Sequence, residues 1–283
     1  MIYGLTRLID LALQEDIGTG DVTTTCLIPE AAAGRATIIA KEDLIVAGIP
    51  VAQQVFRHLD RTAAFETAIE EGQAVAAGAT LMTVNGRLAA LLTAERTALN
   101  FLQRLAGIAT HVRRFLDLLP AQGPRLVDTR KTTPGWRALE KYAVRLGGAA
   151  NHRFSLADGI LIKDNHIAVC GGVAAAVRRA RERAPHSLKI EVETASLAEV
   201  DEALAAGADI IMLDNMSPET ARQAVARVAG RALVEISGGI DRHNLPAYAA
   251  CGADLISSGA LTHSARAVDI SMRIQHAPGE ATA

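Results

Sequence analysis

Arg130, Lys131 and Lys163 each sit at the end of a short apolar run, and Arg137, His152 and Arg153 lie on adjacent segments. Like charges brought together repel by ~4 kcal/mol per pair at about 4 Å with an effective dielectric of about 20. A chain keeps such a cluster chiefly where an anion neutralises it. Arginine adds bidentate carboxylate recognition that lysine cannot make, so the expected ligand bears planar carboxylates as well as phosphate. Any one of these arginines alone reads as solvated surface. The gathering carries the inference.

Two carboxylates, Glu193 and Asp214, end neighbouring runs of the same kind. Each alone is as well explained by pairing with a nearby cation. Beside a polyphosphate they can accept hydrogen bonds from sugar hydroxyls, or hold Mg²⁺ through water. Ser237-Gly238-Gly239 and Ser258-Gly259 end two further runs. One such pair would merely turn the chain; two, each with a serine, favour backbone N–H groups approaching a phosphate. Asn165 and Asn215 read as turn formers, and His166 and His263 as structural residues.

The elements that must place these groups are legible as a repeat. Six apolar runs recur, at Arg125–Arg130, Gly159–Asp164, Leu188–Glu193, Asp209–Asp214, Ala232–Ser237 and Asp254–Gly259. Ala-rich helical segments at 172–184, 196–206 and 217–229 separate several of them. Alternating β and α units of this size imply an α/β fold with a parallel sheet buried on both faces. No dinucleotide fingerprint appears, so a barrel is the expected closure, with an open doubly wound sheet as the alternative. In either, ligands gather at the carboxyl ends of the strands. All the residues above except the connecting arginines and histidines then share one rim.

Upstream, Leu5, Leu8, Ile9, Ala12 and Leu13 have helical spacing that stops at Gly18–Gly20. Short β-branched runs between 34 and 86, with turns at Glu71–Gln73 and Ala77–Ala79, predict a small α+β domain. Residues 88–119 read as helix interrupted near Gly107. The 283 residues carry 29 basic and 31 acidic side chains, a balance that gives no reason to expect nucleic acid or an anionic membrane as partner. Aromatic residues make up only 3% of the chain, so its core must be aliphatic. Cys26, Cys170 and Cys251 are scattered and suit a reducing compartment. Acidic residues Asp10, Glu15 and Asp16 argue against a secretory signal, and no long apolar stretch suggests a membrane span. A cytoplasmic location is expected.

Several phrases together resemble the signatures of the quinolinate phosphoribosyltransferase family. They are Asp128-Thr-Arg-Lys-Thr-Thr-Pro-Gly135, Asn151-His-Arg-Phe154, Leu161-Ile-Lys-Asp-Asn-His166, Leu213-Asp-Asn-Met216 and Gly259-Ala-Leu-Thr-His-Ser264. The resemblance runs from Glu15–Asp21 through Glu95–Asn100 to near Asp269. It implies an incomplete parallel α/β barrel of the type II phosphoribosyltransferases with a small N-terminal α+β domain. The implied boundaries are 1–106 for that domain, 107–265 for the barrel and 266–283 for a tail returning to the first domain. The implied reaction joins quinolinate to 5-phosphoribosyl-1-pyrophosphate, releasing CO₂ and pyrophosphate and leaving nicotinate mononucleotide for NAD biosynthesis.

The resemblance also implies roles. Arg130, His152, Arg153 and Lys163, with Arg96 from the other subunit of a homodimer, would hold the dicarboxylate, and Thr129 and Lys131 would line the same pocket. Glu193 and Asp214 would serve the ribose and a Mg²⁺ held through water, and Ser237, Gly238, Gly239, Ser258, Gly259 and Ala260 the 5′-phosphate. Lys131, Lys163, Glu193 and Asp214 form the expected catalytic set. Trp136 and Ser258 depart from the family's commoner residues, which touches only local packing. A related molybdate-uptake protein of the same fold diverges at the Thr-Arg-Lys and Lys-Asp-Asn-His phrases. Two other classes compete on chemistry alone: a Schiff-base aldolase using Lys163, and an anion-binding barrel without turnover.

Overall fold

The computed structural model describes residues 4–276. It contains two compact units. One comprises the chain up to Arg113, Pro134–Gly148 and the chain from Ala265; the other comprises Arg114–Thr133 and Ala149–Ser264. In chain order the elements begin with α1 (Leu5–Ile17), α2 (Val22–Leu27), β1 (Ala33–Ala40), β2 (Leu44–Ile45), α3 (Ile49–Leu59), β3 (Ala64–Glu66), β4 (Ala74–Val75), β5 (Thr80–Arg87) and α4 (Leu88–Leu116). Next come β6 (Arg125–Val127), α5 (Arg137–Gly147), β7 (Ile160–Ile162), α6 (Asp164–Cys170), α7 (Val173–Arg183), β8 (Ile190–Thr194) and α8 (Leu197–Ala205). The chain continues through β9 (Ile210–Asp214), α9 (Pro218–Val228), β10 (Leu233–Ser237), α10 (Leu245–Ala249), β11 (Leu255–Ser257), α11 (Ala260–His263) and β12 (Ile270–His276).

The first unit is built on an antiparallel sheet in the order β12-β1-β5-β3. Alternation along β1 buries Ala36, Ile38 and Ala40 on one face, as a half-covered sheet requires. Helix α1 buries Leu5, Ile9 and Leu13, one stripe at four-residue spacing, and ends at Gly18, whose φ of 55° a side chain would resist. The carboxylate of Glu71 caps α3 by accepting the N–H groups of Gly48 and Ile49 at 2.9 and 2.8 Å. Strand β12 pairs antiparallel with β1 from Gly34↔His276 to Ala40↔Ile270. Of the expected tail, 277–283 lie outside the described residues.

Helix α4 corrects one expectation. It runs unbroken through Gly107, where an interruption was expected. A Cβ at 107 would lie 2.1 Å from the carbonyl oxygen of Arg266, so the glycine admits a close backbone approach rather than a break. Trp136 stacks on Phe101 with ring centroids 4.8 Å apart, which accounts for an aromatic residue at that position.

The second unit carries a six-stranded sheet in the order β6-β11-β10-β9-β8-β7, every neighbouring pair parallel. From β7 to β11 each strand lies beside its successor, and the last returns to the first. This is the order of a barrel opened between β6 and β7. Among the described residues those two strands share no ladder; Ala150 instead bridges to Val127 of β6. Five of the six strands fall within the apolar runs and β8 overruns its run by Thr194; each run is largely hydrophobic and ends on a polar or glycine residue. Val192, Ile211, Leu213, Ile236 and Ile256 are at most 1% exposed. Burial of such side chains stabilises by about 1.5–3 kcal/mol each, so the core is aliphatic as the composition requires. Among the described residues no helix is long and apolar enough to cross a membrane.

Candidate active site

The carboxyl ends of the parallel strands surround a cavity of about 540 Å³, within the range usual for small-molecule sites. Thr129, Arg130 and Lys131 reach it from the loop after β6, His152 and Arg153 from the segment before β7, and Lys163 from the end of β7. Glu193 of β8, Asp214 of β9, Glu235 and Ser237 of β10, and Ser257 of β11 complete the wall with Gly238 and Gly239.

Local hydrogen bonding sets each segment. Asp128, fully buried at the end of β6, accepts the His152 backbone N–H at 2.8 Å and the Asn151 side-chain amide at 2.7 Å. These bonds tie 151–153 to β6 where the strand ladder is missing. Arg153 reaches the Gly159 carbonyl at 3.0 Å. Burial, then the charge of Arg130 beside it, holds the Arg153 guanidinium below its ordinary pKa. Two arginines that feel one another across a cavity are what an anionic ligand would relieve. The Lys163 ammonium meets Glu193 at 2.6 Å, and the Thr262 hydroxyl donates to the Lys131 carbonyl at 2.7 Å. Gly259 lies where a Cβ would come within 2.7 Å of the Lys131 side chain, so its lack of one leaves room for the lysine.

The glycines after β10 have distinct reasons. Gly238 has φ 97°, and a Cβ there would fall 2.3 Å from the Asn215 side-chain oxygen. Gly239, at φ 60°, has open space around its Cβ position. Asn215, with φ 54°, is the turn former expected of it, and its N–H donates to the Ser237 carbonyl at 3.0 Å. Asn165 differs: it lies in the first turn of α6, where the ring of His166 accepts the Lys163 N–H at 3.0 Å.

Most expected residues therefore meet at one cavity, and some do not. Ser258 is buried, its hydroxyl donating to the Ile240 carbonyl at 2.6 Å, and neither it nor Gly259 or Ala260 lines the cavity. Ser257 takes that place and donates to the Ser237 hydroxyl at 2.9 Å. Arg137 belongs to α5 in the first unit. Arg96 is exposed on the part of α4 in that same unit, and among the described residues it pairs with no carboxylate.

Glu191 and Glu235 were not anticipated. They point inward from β8 and β10, 5% and 1% exposed, with the His152 ring between them. Nε2 of His152 lies 3.2 Å from Glu191 Oε2 and 3.6 Å from Glu235 Oε2. Burial, then the charge of Glu191, pushes the Glu235 carboxyl up to about 7. The sequence held one clue: Glu191 and Glu235 each stand two residues before a rim residue, so strand alternation puts them on the same face. The three donor atoms cluster within 4.8 Å of one another and could hold a cation. The hydrogen bonding opposes this. Nδ1 of His152 accepts the Arg153 backbone N–H at 2.7 Å, which leaves the ring proton on Nε2, where a metal would have to sit.

A parallel open barrel with arginines, lysines and carboxylates converging at its strand ends defines an enzyme-like site for a small polyanion. The chain belongs to the quinolinate phosphoribosyltransferase family: residues 21–106 match the model of its N-terminal domain and 108–273 that of its C-terminal domain. It is 44% identical over 270 residues to a probable nicotinate-nucleotide pyrophosphorylase [carboxylating] of Bacillus subtilis, covering 95% of this chain and 93% of the relative. The corresponding protein of Synechocystis is 46% identical, over 93% of this chain and 90% of the relative. Among solved structures, NadC from Streptococcus pyogenes superposes with a TM-score of 0.94 at 41% identity, over 98% of each chain.

Proposed function

We propose that this chain transfers phosphoribose from 5-phosphoribosyl-1-pyrophosphate to the ring nitrogen of quinolinate and releases CO₂, forming nicotinate mononucleotide. One observation carries the reading: Arg130, Arg153 and Lys163 face a single cavity. Two adjacent carboxylates on a flat ring match that charge, and planar guanidinium groups suit carboxylates. Thr129 and Lys131 border the same space. The glycine turn Ser237–Gly239 offers backbone N–H groups to the 5′-phosphate.

Glu193 and Asp214 form an all-oxygen donor set at the cavity wall, which fits Mg²⁺ held through water rather than a softer metal. Bound with the donor's pyrophosphate, Mg²⁺ would neutralise charge on the leaving group. Lys163 orients Glu193, and both carboxylates can accept from ribose hydroxyls as C1 gains positive character. Once the ring nitrogen is alkylated, its positive charge stabilises the electron pair left on the adjacent ring carbon when the carboxylate departs, so no separate electron sink is needed. The exposed Arg96 supports a homodimer in which each subunit lends this arginine to its partner's cavity. Catalysis in the cytoplasm fits the absence of a membrane-crossing helix among the described residues.

The test is direct. Supplied with quinolinate, the phosphoribosyl donor and Mg²⁺, the enzyme should form nicotinate mononucleotide, detected chromatographically. Binding of quinolinate without product would assign the chain to anion binding alone.

A further inference from the structure

Loss of CO₂ from the alkylated ring leaves an electron pair on the carbon beside the ring nitrogen, and a proton must fill that position. This inference rests on the activity proposed above. Arginine, lysine, histidine and glutamate side chains border the cavity, and the geometry separates them. The arginines hold their protons too tightly to release one at neutral pH. Lys163 is engaged with Glu193 at 2.6 Å. His152 has its Nε2–H turned away from the open cavity toward two carboxylates, and its Nδ1 is occupied by the Arg153 N–H. Lys131 is exposed and reaches the cavity past Gly259.

Glu235 differs from all of these. It lines the cavity yet is 1% exposed, and its Oε1 is buried with no hydrogen-bond partner. A buried carboxylate oxygen without a donor is costly when ionised, and much less so when the carboxyl carries a proton. We propose that Glu235 is the general acid that delivers a proton to the ring carbon vacated by CO₂. The bond from that carbon to the carboxylate breaks, its electron pair stays on the ring, the Glu235 O–H bond breaks and a ring C–H bond forms. The glutamate is left ionised and regains its proton from water before the next turnover.

The surroundings keep this acid charged with its proton. Glu191 and Glu193 on β8 disfavour a further negative charge, while His152 and the Ser257 hydroxyl on β11 favour it. His152 Nε2 lies 3.2 Å from Glu191 Oε2 and 3.6 Å from Glu235 Oε2, so one imidazole faces both carboxyl groups. His152 is then a positioning residue. It steadies Glu191 and the Arg153 backbone and touches neither reacting atom.

The experiment is single-turnover chemistry with carboxyl-labelled quinolinate, the phosphoribosyl donor and Mg²⁺, following CO₂ and pyrophosphate separately. In wild type, CO₂ release should fall as pH rises through about 7, as Glu235 loses its proton. Glu235→Gln keeps the size and polarity but has no acidic proton. It should lose about 10²–10⁴-fold in CO₂ release, the usual worth of a general acid, and that pH limb should vanish. Quinolinate affinity, measured by calorimetry, should stay within about threefold, and Glu235→Asp should recover part of the rate. A Gln variant that folds, binds quinolinate and decarboxylates like wild type overturns the assignment. So does a wild-type rate that is flat across this pH range, which needs no variant to fold. If wild type leaves quinolinate unconverted, the proposed activity itself fails.

Discussion

Lys163→Ala separates binding from stability. In the free enzyme the lysine pairs with Glu193 at 2.6 Å, with side chains 45% and 17% exposed. A pair open to water to this extent contributes only about 0–1 kcal/mol to folding. Its loss should lower the melting temperature by about 4 °C at most, since 1 kcal/mol corresponds to about 2–4 °C in a chain of this size. Binding is another matter. With quinolinate in place the ammonium would face a carboxylate in a water-poor cavity, and truncation also leaves the Glu193 charge facing the incoming anion. Loss of a charged hydrogen bond of that kind costs about 2–4 kcal/mol, or about 30–1000-fold in Kd. Calorimetric titration with quinolinate, beside a circular-dichroism melt, reads both quantities. An unchanged Kd would remove Lys163 from the dicarboxylate site. A large loss of melting temperature would make it a structural residue.

Asp214→Ala should abolish turnover while quinolinate affinity stays near wild type, because Asp214 is assigned to the phosphoribosyl half; calorimetry showing lost quinolinate binding would reverse that assignment. Arg96→Ala and Lys163→Ala should each be nearly inactive, yet after subunit exchange a mixture of equal amounts should recover about a quarter of wild-type activity, since half the dimers hold one intact site of two. Demonstrated exchange without recovery would remove Arg96 from a shared site. Gly107→Ala would gain about 1 kcal/mol of helix propensity but place a methyl group 2.1 Å from the Arg266 carbonyl, an overpacking cost of about 1–3 kcal/mol, so the variant should be destabilised by up to about 2 kcal/mol net; a variant more stable than wild type in a denaturant titration would refute that close contact.

The parallel unit is legible in the sequence because its strands are buried on both faces. Runs such as Ile210–Asp214 are apolar throughout and then polar at the rim, so both the strand and its carboxyl-end residue declare themselves. The opening of the barrel was not readable in this way, since it depends on Ala150 taking a place beside Val127 that no periodicity marks. Gly107 misled because a glycine in a helix signals weakness locally, whereas its cause lies 159 residues away at Arg266. Glu191 and Glu235 sit inside apolar runs, where a charged residue is easily passed over in favour of the one at the strand end. What distinguishes them is a partner, His152, brought from a different segment by two hydrogen bonds to Asp128. The serines at the end of β11 show the same limit: adjacent in sequence, Ser257 faces the cavity and Ser258 the Ile240 carbonyl, and only the backbone decides which.

The central claim is that the cation cluster selects a dicarboxylate and that its decarboxylation is part of the reaction. It is tested most directly by giving the enzyme carboxyl-labelled quinolinate or nicotinate, each with 5-phosphoribosyl-1-pyrophosphate and Mg²⁺, and counting both small products. Quinolinate should yield equal amounts of CO₂ and pyrophosphate, while nicotinate, which leaves part of the cluster unpaired, should react poorly. Comparable turnover of nicotinate, or pyrophosphate release from quinolinate without matching CO₂, would contradict the account.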